Sequence, residues 1–198
     1  MKWLTSVLLR MRRRTGFALI AISVGIVLAY HLGSGVVVDE TTGLPIEGVY
    51  VVARFSARAI TPVNSSQVCF KVVSTKTDQA GRFMLWPLSW NFNPLLWLRE
   101  RQLLFYFKGY AVPEQSHLYP LLVSMKPQPG FDLARIESMH AIGRRLGCGP
   151  DAQQKKFVLP IYQAMVVEAE EIADRTGRPG FARGMKMYVY DLIGLPRK

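Results

Sequence analysis

The stretch VVVDETTGLPIEGVYVVARF, residues 36–55, limits the possible folds more than any other part of this chain. β-branched runs flank ETTGLP, a turn signal in which Gly43 can take a positive φ and Pro45 restricts its neighbour. After the turn, Val49, Val51, Ala53 and Phe55 alternate with Tyr50, Val52 and Arg54, the period-two pattern of a half-buried strand. Further strands are predicted downstream. QVCFKVVSTK sets Val68, Phe70 and Val72 on the face opposite Cys69, Lys71 and Val73. TDQAGRFML reads as a tight turn over 78–81 feeding a short strand, with Asp78 bonding nearby backbone amides. RQLLFYFKGY puts Leu103, Phe105 and Phe107 on one face, and YPLLVSMKP closes the series. Short strands with frequent turns and no βαβ alternation predict an antiparallel sandwich.

Residues 16–32, GFALIAISVGIVLAYHL, form an uncharged apolar run headed by RMRRRT. That length is the lower limit for a membrane-crossing helix, and the basic flank keeps the N-terminus cytoplasmic. A signal peptide cut after Ala29 is the alternative, but the run exceeds a typical signal core, so an uncleaved anchor is preferred. Both readings export the body. The expected location is the inner membrane, single-pass, with the C-terminal body in the periplasm or outside the cell. The formal charge is +11 over 198 residues, and five bases precede the first acid, Asp39. The rest is basic but diluted, without the clustered bases and aromatics of a nucleic-acid surface. Attraction to an acidic surface or ordinary solubility accounts for it.

Three of the four tryptophans fall in WPLSWNFNPLLWLRE. Trp86, Trp90, Phe92 and Trp97 are the candidate contact surface, an apolar flap over one end of the sandwich or a patch for lipid or a partner. Beyond Pro127 the pattern becomes helical. Ile136, Met139, Gly143 and Leu146 mark one helix. Tyr162, Met165, Val166, Ala169 and Ile172 mark a second, with Pro160 in its first turn and Gly177 and Pro179 as its stop. The expected organisation is a cytoplasmic basic segment (1–14), an anchor or signal segment (15–32), the sandwich (33–126) and a short helical extension packed on it (127–198). In an exported chain the only two cysteines, Cys69 and Cys148, are expected to pair and staple the helices to the sheet.

The motifs GVVVDETTGLPIEGVYVVA, TKTDQAGRFML and FKGY resemble, in order and spacing, the carboxypeptidase regulatory-like domain. The resemblance covers residues 33–125. It implies a seven-stranded transthyretin-like sandwich and an accessory role in folding, docking or ligand binding, without catalysis. Enzymes with similar sandwiches need constellations that this chain lacks. His31, His117 and His140 are isolated, and there is no H-x-H, H-E-x-x-H or C-x-x-C, so no metal ligand set is predicted. There is no G-x-S-x-G elbow and no phosphate-binding glycine loop. Glu168, Glu170, Glu171 and Asp174 read as a solvated helix face.

The sequence therefore predicts a non-enzymatic, membrane-anchored envelope protein, with no catalytic residue, cofactor or metal. Its expected partners are the membrane, through the N-terminal helix, and an envelope protein or glycan, with no nucleic acid. An envelope enzyme or enzyme subunit with an unrecognised site is the alternative.

Overall fold

The computed structural model describes residue 23 and residues 33–59, 67–85, 96–113, 122–128, 132–148 and 152–193. Six strands come first: β1 (Ser34–Asp39), β2 (Tyr50–Ala59), β3 (Gln67–Lys76), β4 (Arg82–Met84), β5 (Leu96–Tyr106) and β6 (Leu122–Met125). Three helices follow: α1 (Asp132–Leu146), α2 (Ala152–Thr176) and α3 (Gly180–Ile193).

The strands form two three-stranded sheets, in the orders β4-β1-β6 and β3-β2-β5. Val37, Val49, Val51, Phe83, Phe105, Val123 and Met125 fill the space between them. The opposite face of the second sheet, with Val52, Val72, Leu104 and Tyr106, packs on Ile136, Met139, Ile161, Met165 and Met185 of the helices. The order of layers is therefore sheet, sheet, helices.

This corrects the expected fold. The structure is not a seven-stranded antiparallel sandwich with a short helical tail. Among the described residues there are six strands, β1 and β6 run parallel, and the helices hold more residues than the strands. The reason lies in β2 and β5, which are apolar on both faces and so require a second apolar layer. The anchor is corrected as well: among the described residues no helix is long and apolar enough to cross a membrane. Even α2, at 25 residues, carries Glu168, Glu170, Glu171, Asp174 and Arg175. The run 16–32 lies outside the described residues, apart from Ser23. The single-pass inner-membrane placement is accordingly withdrawn.

Two local departures have clear causes. In β3 the pairing skips Phe70: Phe55 faces Lys71, but Ser56 faces Cys69. This bulge reverses the alternation, so Cys69, like Val72, packs against the helical layer. Pro160 lies inside α2 rather than in its first turn. Its missing N–H leaves the Lys156 carbonyl without its usual helical donor, and the neighbouring Phe157 carbonyl accepts the Ser74 hydroxyl at 2.7 Å.

One end of the paired sheets is closed by short turns. Asp39 Oδ1 accepts the amides of Thr41 and Thr42, and its Oδ2 accepts the Tyr110 hydroxyl at 2.7 Å. The Thr77 hydroxyl accepts the Val49 amide and donates to the Ile46 carbonyl. Asp78 caps its turn by accepting the amides of Ala80 and Arg82. Gly81 has φ +67, and a Cβ there would stand 2.4 Å from the Val37 carbonyl oxygen, so this approach requires glycine. Segments 60–66 and 86–95 connect strands at the opposite end, where Ala59 pairs with Leu96 and the Leu85 amide reaches Gly33.

Candidate functional site

Helix α1 places Arg135 on its apolar stripe beside Ile136 and Met139, and α2 places Glu168 between Met165 and Ile172. Two ionisable side chains thus enter the interface between the helices and the second sheet, where each is under 5% exposed. They meet there. Glu168 Oε1 accepts from Arg135 Nε at 2.8 Å and from the Gly109 amide at 3.0 Å. Oε2 accepts from Arg135 Nη2 at 2.8 Å and from the Tyr106 hydroxyl at 2.7 Å. Arg135 also donates to the carbonyls of Phe107 and Tyr110 and lies over the Tyr106 ring.

Each carboxylate oxygen has two donors, which fills its acceptor capacity. Burial pushes the Glu168 pKa up, but the Arg135 guanidinium, the Tyr106 hydroxyl and the Gly109 amide outweigh it, and the net shift is downward. The Tyr106 phenol is pushed up, by burial first and then by the Glu168 charge. An ionised, saturated carboxylate has no lone pair left to take a substrate proton. The cluster ties the FKGY segment to both long helices at the closed end of the sheets, while the Cys69–Cys148 disulfide, with Cα atoms 5.1 Å apart, ties the other half.

A cleft of about 490 Å³ opens over the ion pair, bounded by Lys108, Gln128, Asp132, Glu171 and Arg175. Its rim cations are paired, Lys108 with Glu171 and Arg175 with Asp132. A second groove, about 790 Å³, runs between α2 and α3 past Asp174, Arg183 and Tyr190, with Lys186 paired to Glu170. Among the described residues, no three His, Cys, Asp or Glu side chains converge as a metal ligand set. The His140 pKa is lowered by burial and then by Arg144, and its ring packs against Tyr188.

Cys69 and Cys148 are brought together as the sequence anticipates. The acidic face is corrected. Glu170 and Glu171 are in salt bridges toward solvent, whereas Glu168 is buried. Sequence reading missed Arg135 and Tyr106. The available signal was an arginine at the centre of an apolar helical stripe, 33 residues before a glutamate on another. Trp86, Trp90 and Phe92 lie outside the described residues. The backbone of Trp97 lies in β5, opposite Arg58. No family model, curated protein or solved structure matches the chain.

Proposed function

We propose that the folded body is a non-catalytic binding module that takes a partner protein at the open end of its sheets. The observation that carries this reading is the polarity of the fold. Tight turns, glycines and the Asp39–Tyr110 bond occupy one end, while segments 60–66 and 86–95 depart from the other. Connections held by a rigid scaffold are where binding residues concentrate. Leu85 and Leu96, which bracket Trp86, Trp90 and Phe92 in the chain, lie at that end, and the backbone of Trp97 pairs with Arg58 beside it. The buried ion pair supports the same reading, because its atoms are engaged in fastening the layers.

The test compares wild type with the W90S/W97S double variant by brief crosslinking in the native cell and mass spectrometry of what is attached. A stoichiometric partner that the variant loses, with an unchanged melting temperature, supports the reading. Retention of the partner by the variant, or a melting temperature lowered by more than about 8 °C, the scale of roughly 2–4 kcal/mol in a domain of this size, overturns it by making the aromatic segment part of the core.

A further inference from the structure

Helices α2 and α3 form a hairpin about the turn at Gly177 and Pro179, and the Lys186–Glu170 salt bridge at 2.7 Å fixes their register. Their buried stripes, with Met165, Ile172 and Met185, belong to the core beneath. The groove of about 790 Å³ between them is therefore walled by their outer sides. Its walls carry opposite charge. Glu170 and Asp174, one turn apart, stand on α2, and Lys186 and Arg183, at matching heights, stand on α3. Glu170 and Lys186 are joined, whereas Asp174 and Arg183 are exposed and have no side-chain partner among the described residues.

Away from the turn the same surface becomes apolar. Met187 and Tyr190 line the groove. Val167 lies one turn before Glu170, Ile193 one turn after Tyr190, and Val167, Met187 and Ile193 are all exposed. Between the walls the floor is Ala173 and Ala182, both buried and both small, so another helix can approach closely. The 14 residues of α3 span about 21 Å. Two helices about 10 Å apart present a face roughly as wide as that, at the small end of specific interfaces.

We infer that this groove docks the same groove of a second copy of the chain, closing two helical hairpins into a four-helix bundle. A two-fold contact must be complementary to itself, and here the complement of each wall is the other wall. An axis parallel to the helices keeps every residue at its own height and exchanges the walls, so α2 of one copy lies antiparallel on α3 of the other. Asp174 then meets Arg183 of the second copy, Glu170 meets its Lys186, and the apolar ends cover each other. An axis across the helices would lay acid on acid and is disfavoured. An anionic lipid surface fits less well, because it would face Glu170 and Asp174 as well as the cations. The inference goes beyond the binding-module reading, since the groove uses none of the residues at the open end of the sheets.

The test is sedimentation velocity of the full chain from about 1 to 200 µM, the range in which an interface this small is half dissociated. Wild type is expected to pass from monomer to dimer. E170K/D174K makes both walls basic and R183E/K186E makes both acidic, so each alone should dimerise at least tenfold more weakly, the scale of like charges brought together. Mixed one to one, the two variants should form a heterodimer at least as tight as the wild-type dimer, because every wall again meets its opposite. Each variant shifts the formal charge of +11 by four, to +15 and +7, so both stay positive and net charge does not draw them together. A wild type that stays monomeric, a dimer that neither variant weakens, or a mixture that stays monomeric while both variants melt as wild type overturns the inference. Should a reversal unfold the hairpin, D174N/R183Q is expected to weaken the dimer at least threefold, and an unweakened dimer is then equally fatal. Dissociation by W90S/W97S instead of by the helix variants moves the contact to the open end, and binding to vesicles containing phosphatidylglycerol in place of dimerisation moves it to a membrane; either result overturns the inference. A monomer that still holds a Trp-dependent partner leaves the binding-module reading standing.

Discussion

Arg135 carries a permanent charge into a site where water scarcely reaches, and four acceptors meet it: both oxygens of Glu168 and the carbonyls of Phe107 and Tyr110. Removing one partner of such a pair strands the other. Arg135→Leu should therefore destabilise the protein by about 3–5 kcal/mol in urea unfolding, and the R135L/E168L double variant by much less than the two single losses combined. Linkage gives a second prediction. Glu168 and Asp39 both have pKa values below their ordinary 4.5 and 3.8, the latter chiefly through the Tyr110 hydroxyl. Their stabilisation is complete above those ordinary values and fades as pH falls through the lower folded ones. Tyr110→Phe removes the bond that lowers the Asp39 pKa, so its acid unfolding midpoint should move to higher pH, read by fluorescence across a pH series. Gly43 and Gly81 supply a third comparison. Both have positive φ, but Gly43 has open space around its missing Cβ and Gly81 faces the Val37 carbonyl. Gly43→Ala should cost about 1 kcal/mol from φ alone, and Gly81→Ala distinctly more. The turn glycines were legible in the sequence because TG and AG followed strand patterns. Glu168 was not, because a glutamate among Glu170, Glu171 and Asp174 carries no mark of which way its helix faces.

Elements were legible where a period ran unbroken. The alternation in β2 matches the two cores, with Val51 and Ala53 in one and Val52 in the other. The bulge at Phe70 broke the same reading in β3, since one unpaired residue reverses every face beyond it. Helix α3 went unread although Phe181, Met185, Tyr188 and Leu192 recur at helical spacing. Its interior Gly184 lowered the propensity, as Gly143 did in α1, yet these two glycines are where α1 and α3 approach closely. A Cβ on Gly143 would lie 3.0 Å from the Tyr188 ring, and one on Gly184 3.1 Å from His140. The disulfide bounds a prediction at this scale. The C69A/C148A variant should lose up to roughly 4 kcal/mol, the chain-entropy guide for a loop of this size. Amide exchange should accelerate most at the C-terminal turn of α1 and in the first half of β3, while the Arg135–Glu168 end stays protected.

At the scale of the molecule, the second sheet is buried on both faces, and its helix-side residues Val52, Val72, Leu104 and Tyr106 share a core with α1, α2 and α3. A fragment ending at residue 126 should therefore fail to give a cooperative melt and should bind hydrophobic dye, whereas the chain from residue 33 to 198 should unfold in a single transition. The number of layers was not legible because periodicity reports a buried face without saying what buries it. Near-continuous apolar runs in VYVVA and LLFYF carried the hint that a second layer was required.

The parallel pairing of Val37 with Val123 also governs the order of assembly during synthesis. β1 leaves the ribosome first, yet the strand beside it is the last to be made. Until residue 125 emerges, the central strand of the first sheet has at most the three-residue β4 for company. A nascent chain in that condition presents sticky, half-paired backbone while residues 40 to 125 are being made. It therefore depends on holding factors more than a hairpin-by-hairpin fold of equal size would.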